Sequence, residues 1–121
     1  MFLATSNQAK GLLHLSYIEH VDAAELDRGY EDVVTLLKAF PAGFSMLVDL
    51  GRLELMDTDC VAALGKIMEL LDQRGLERVV RVIPDPAKDI GFNILARFHY
   101  HHNPRITNCK TMIEAARLLE L

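Results

Sequence analysis

The hydrophobic period of this chain switches repeatedly between about 2 and about 3.6 residues, and each switch exchanges a strand for a helix. Residues 2–5 are a short apolar start, ended by the polar run Ser6-Asn7-Gln8-Ala9-Lys10-Gly11. Leu12, Leu13, Leu15 and Tyr17 then alternate, so the first two segments read as a strand pair closed by a polar turn. Asp22-Ala23-Ala24-Glu25 has the spacing of a helix start, with Asp22 as the candidate cap. Leu26, Tyr30, Val33, Val34, Leu37 and Phe40 fall along one face of that helix, and Pro41-Ala42-Gly43 ends it. Residues 44–50 form a nearly continuous apolar run, as expected for a strand covered on both faces.

After a turn-like Gly51-Arg52, Met56-Asp57-Thr58 leads into a helix with Val61, Leu64, Ile67, Met68 and Leu71 on its apolar face. Residues 76–83, rich in valine, read as a buried strand, and Pro84-Asp85-Pro86 breaks the chain. A helix carrying Ile90, Ile94, Leu95 and Phe98 follows, then a short strand at Arg105-Ile106-Thr107. The last helix carries Met112, Ala115, Leu118 and Leu119. Strands that alternate with helices need crossover connections. The expected fold is therefore α/β, a mostly parallel sheet of about five strands with about four helices in the order β-β-α-β-α-β-α-β-α.

The bulk properties narrow the function. With 121 residues the chain suits one domain, residues 1–121, and with 50% hydrophobic residues it can bury a core without metal or disulfide staples. A formal charge of -4, with no basic run, argues against nucleic acid and against an anionic membrane surface. No apolar stretch approaches the roughly 20 residues that span a bilayer. Cys60 and Cys109 are two lone cysteines without a recognisable leader before them, so reduced thiols and a cytoplasmic setting are expected.

The most informative stretch is Met46-Leu47-Val48-Asp49-Leu50-Gly51-Arg52-Leu53-Glu54-Leu55-Met56-Asp57-Thr58-Asp59-Cys60. It resembles the signature of STAS domains, the family of anti-sigma factor antagonists, stressosome subunits and sulfate-transporter tails. In that signature a Val-Asp-Leu strand precedes a short connection, an apolar residue, Asp, two small hydroxyl residues and Gly at a helix start. Gly11-Leu12-Leu13-His14-Leu15-Ser16 resembles the family's second strand, and Asp22-Ala23-Ala24-Glu25-Leu26 its first helix start. The likeness covers residues 11–83 well and the rest more loosely. It implies a sheet backed by helices and a non-catalytic, regulatory role. It also implies a protein partner, such as a Ser/Thr kinase-like anti-sigma factor or another regulator, which phosphorylates the hydroxyl after the Asp.

Carried over by position, Asp57 matches the family's Asp and Thr58 its first hydroxyl. Asp59 stands at the second hydroxyl, the usual phosphoacceptor, and Cys60 replaces the Gly. An Asp accepts no phosphate from such a kinase, and its charge partly mimics phosphoserine. The resemblance thus implies a docking loop of Asp57, Thr58, Asp59 and Cys60 in a switch-disabled, constitutively acidic member. A one-residue slip would put Thr58 at the switch position. A plainer reading makes Asp57 or Thr58 a helix cap, worth about 0.5–2 kcal/mol. The segment from Asp85 to Pro104 departs from the family pattern and is a few residues longer.

Other constellations carry less. His99, His101 and His102 invite a metal reading, with Cys109 as a further ligand. Their spacing does not share a helix face, however, and half-exposed residues at a helix end describe them more simply. Asp49, at the end of the third strand, resembles a receiver-domain phosphoacceptor. The acidic pair and late Lys of receivers are missing, which leaves Asp49 as an acid that fixes its loop. No phosphate loop, nucleophile elbow or CxxC pair is present, so no enzyme and no cofactor are expected. Cys60 at a helix start is either a sensitised thiol or a small packed residue. The runner-up function is a small-ligand or lipid-binding α/β module, with Phe92, Ile94, Leu95 and Phe98 over its pocket. The same aromatics also suit core packing or a homodimer contact.

Overall fold

The computed structural model describes residues 1–85 and 89–121. Pro86 of the expected chain break, Lys88 and the side chain of Ile90 lie outside the described residues. Among the described residues the order is β1 (Phe2–Asn7), β2 (Leu12–Val21), α1 (Ala23–Leu37), β3 (Ser45–Met56), α2 (Cys60–Gln73), β4 (Arg78–Val82), α3 (Asp89–His99), β5 (Arg105–Cys109) and α4 (Met112–Leu118). This is the α/β order expected from the hydrophobic period. Among the described residues no helix is long and apolar enough to cross a membrane.

The five strands form one sheet in the order β1-β2-β3-β4-β5, the order of the chain itself. β1 and β2 pair antiparallel through their hairpin, and every later pairing is parallel. Right-handed crossovers that always step the same way must lay their helices on the same face. Accordingly α1, α2 and α3 share one core with the inward residues Leu13, Leu15, Tyr17, Met46, Val48, Leu50 and Val79. The last helix closes no crossover and is free to take the other face. Ala115 of α4 packs there against a smaller cluster of Leu12, Leu47, Val80, Val82 and Cys109. β3 and β4 are thus covered on both faces, which explains their nearly unbroken apolar runs.

Local chemistry sets the helix boundaries. Asp22 caps α1, its Oδ1 accepting the Glu25 amide at 2.8 Å. Thr111 caps α4 in the same way, accepting the Glu114 amide at 3.2 Å. Within α1, Gly29 is buried against the Phe2 ring of β1, where a Cβ would overlap the ring. That close approach explains a helix-interior glycine that would otherwise only weaken the helix.

Several boundaries differ from expectation: α1 stops at Leu37, short of Phe40 and Pro41, β1 runs on through Ser6 and Asn7, and β4 covers only Arg78–Val82 of residues 76–83. The largest difference is in β3. The Gly51-Arg52 pair does not turn the chain, because β3 runs on to Met56 beside an equally prolonged β2. The two stay paired from Ile18↔Arg52 to Val21↔Met56, with register shifts between Ser16 and Ile18 and between Glu19 and His20. Glu19 takes a left-handed backbone there, with φ of 56°. On β3, Asp49 Oδ1 accepts the Gly51 amide at 2.9 Å, so a side chain ties down the stretch that lies opposite the first register shift.

Candidate docking site

In a parallel sheet, loops at the carboxyl ends of strands are the usual place for function. Asp57-Thr58-Asp59 forms such a loop, joining the end of β3 to the start of α2. Thr58 and Asp59 are exposed, Asp57 is half-buried and Cys60 is fully buried. The chain turns by backbone bonding, with the Cys60 amide donating to the Asp57 carbonyl at 3.0 Å.

The helix-cap reading of Asp57 or Thr58 does not hold. Asp59 occupies the N-cap position with a helical backbone (φ -73°, ψ -7°) and makes no side-chain cap bond. The Asp57 carboxylate turns the other way, and its Oδ1 takes His20 Nε2 at 2.7 Å. His20 is the penultimate residue of β2, and the parallel register places it opposite Leu55. The hydrogen bond to Asp57, followed by its charge, raises the His20 imidazole above its ordinary value. The loop is therefore tied to β2 by a charge-assisted bond.

Cys60 lies beneath this loop, with its Sγ 3.5 Å from the Val21 carbonyl. Burial first, then the neighbouring Asp59 and Asp57 charges, push its thiol up, which opposes the sensitised-thiol reading.

Beside the loop, an apolar groove of about 350 Å³ opens between the end of β3, the start of α2 and α3. Leu53, Leu55, Val61, Leu64, Phe92 and Leu95 form its walls, and Glu54, Asp57 and Thr58 stand at its edge. Of the four residues expected over a pocket, Phe92 and Leu95 line the groove, whereas Ile94 and Phe98 do not. Leu53 and Leu55 join the lining because β3 runs on past Leu50.

The histidine segment lies at the opposite end of the sheet. His102 Nδ1 is 2.9 Å from Asp72 Oδ2, and its amide donates to Asp72 Oδ1 at 3.0 Å. Burial alone would push the Asp72 carboxyl up. The amides of His102 and His101 and the His102 ring outweigh it and hold the carboxyl below its usual value. His99 Nδ1 and His101 Nε2 approach a different acid, Glu69 Oε1, at 3.6 and 3.8 Å. Cys109 belongs to the α4 face, away from them. Among the described residues no group of three or more His, Cys, Asp or Glu is placed to hold a metal ion.

Arg81 of β4 is nearly fully buried on the α3 side of the sheet. Its guanidinium donates to Asn93 Oδ1 at 2.8 Å. It shares the core wall with Tyr17 and Tyr100, whose phenols burial pushes well up. A strand arginine between valines carries no periodic signal that separates burial from exposure.

No protein-family model and no curated protein sequence matches the chain. Solved structures do. An uncharacterized Shewanella loihica protein with a SpoIIAA-like fold superposes with a TM-score of 0.73 at 10% identity, over 98% of this chain and 92% of that one. The phosphorylated form of the Bacillus cell fate determinant SpoIIAA gives 0.65 at 16% identity, over 98% and 99%. An anti-sigma factor antagonist from Mycobacterium paratuberculosis gives 0.60 at 15% identity, over 100% and 94%. Matches that cover both chains almost entirely at such low identity are likenesses of architecture, and by that measure this chain has a STAS-like fold, the fold of the anti-sigma factor antagonists.

Proposed function

We propose that residues 1–121 form one cytoplasmic, non-catalytic domain that regulates by binding another protein through the loop Asp57-Thr58-Asp59. The observation that carries this reading is the exposed acidic loop at the carboxyl end of β3, on a fold shared with SpoIIAA and an anti-sigma factor antagonist. The partner is of the Ser/Thr kinase-like anti-sigma factor class, or a related regulator. Asp59 stands where the family's phosphoacceptor hydroxyl belongs, so the loop carries a fixed negative charge at that point. Cys60 supports the loop from below as a packed small residue, and Asp49 serves as a structural acid further down β3.

The test immobilises the chain and its Asp59→Ser variant side by side and identifies what each retains from lysate of the source organism. The expected result is a kinase-like or sigma-regulating protein whose retention differs between the columns, and which phosphorylates the variant but not the parent chain. Phosphate appearing on Thr58 of the parent chain would refute the switch-disabled reading. No retained protein on either column would remove the interaction reading.

A second reading, a small-ligand or lipid-binding module, is favoured by the apolar groove, whose volume of about 350 Å³ lies at the lower end of small-molecule sites. Native mass spectrometry of freshly purified protein tests it. A retained apolar molecule is the result it expects.

A further inference from the structure

We propose that the groove beside the docking loop is the seat of a basic amphipathic helix contributed by the partner protein. The inference rests on the docking-loop reading and specifies its occupant. Helix α3 carries two apolar stripes. Phe92 and Ala96, continued by Tyr100, face the core and are buried. Ile94, Leu95 and Phe98 continue from Gly91 at the i, i+3, i+4, i+7 spacing of a second stripe, in which Leu95 packs partly against that core while Ile94 and Phe98 are exposed.

Within the second stripe Ile94 is 50% and Phe98 70% exposed, and across the groove Leu55 is 58% and Val61 53% exposed. Leu55 and Val61 line the groove, and Ile94 and Phe98 lie on the same helix as its wall residue Leu95, so exposed apolar side chains gather around it on β3, α2 and α3. Exposed apolar surface gathered in this way marks an interaction site.

Shape and charge select the occupant. A small molecule in the groove would leave Ile94 and Phe98 bare, because neither lines it. A helix laid along α3 covers the groove and both of these residues together. The stripe from Gly91 to Phe98 is about 10 Å long, so two to three turns of a partner helix match it. The rim is acidic: Glu54 and Asp57 line the groove, and exposed Asp59 stands beside it at the start of α2. Asp57 shares its charge with His20, whereas among the described residues no Lys or Arg lines the groove. The complementary helix carries apolar anchors on one face and Lys or Arg along the side nearest the loop.

A phage-displayed library of helix-forming peptides about 16 residues long, with apolar spacing fixed and flanking charge randomised, tests this. It is selected on the full chain and counter-selected on Phe98→Ser and Val61→Ser. Both residues are largely exposed, so the variants are expected to keep the parent circular dichroism spectrum and melting midpoint. Enriched clones should be basic on one flank. A synthetic representative should bind either variant about tenfold more weakly and lose affinity as salt is raised. Acidic or neutral enriched clones, equal binding to parent and variants, or no enrichment would each overturn the proposal. So would a resident apolar molecule that excludes the peptide.

The docking loop and the helix seat are separable in the same experiment. Partner retention that responds to Asp59→Ser but not to Phe98→Ser removes the helix seat and keeps the docking loop. The reverse pattern removes the loop's role as a switch and keeps the seat.

Discussion

The His20 imidazole and the Asp57 carboxylate meet at 2.7 Å across a sequence separation of 37 residues. Because the bond to Asp57 raises the imidazole above its ordinary value, Asp57→Asn should bring the His20 titration back down, as read by NMR of the ring protons. The sign is that of a histidine gaining an anionic partner. Its stabilisation is complete below the ordinary value of 6.5 and disappears as pH rises through the higher folded-state value. The loop should therefore be held more tightly to β2 at mildly acidic than at alkaline pH. Unchanged His20 titration in the variant would contradict this. Asp57, Thr58 and Asp59 stand out in the sequence through the resemblance of residues 46–60 to the STAS signature. His20 does not, since only the parallel register of β2 and β3 brings it there.

Packing between helices places sharper demands than the helices themselves. Gly65 of α2 is buried against α3, and a Cβ there would fall 2.6 Å from His99 Nε2. Gly65→Ala should destabilise the protein by about 1–3 kcal/mol in urea titration, since the ring must be driven from its place. In a His99→Ala background the same substitution should do far less, a coupling that a double-mutant cycle measures. Equal effects in the two backgrounds would show that the α2–α3 approach is not limiting. Amphipathic period identified α1 and α2 from the sequence, and Asp22 identified the start of α1. It could not rank the two stripes of α3, because both are apolar and only the fold decides which one is covered. It also ended β3 at Leu50, because Gly51-Arg52 has turn chemistry that the pairing with β2 overrides.

The molecule as a whole is lopsided. Three helices and most of the buried side chains lie on one face of the sheet, while α4 covers part of the other with Ala115 as its buried residue. Native-state hydrogen exchange should show α4 amides opening at markedly lower free energy than those of β3 and β4, because little apolar surface is exposed when α4 lifts. Protection of α4 equal to that of the central strands would contradict this.

The strand order also shapes how the protein is made. Each strand after the hairpin joins the one just before it in the chain, so no pairing spans more than a single strand–helix–strand unit. Assembly can thus proceed as the ribosome releases the chain, every new strand finding its template already in place.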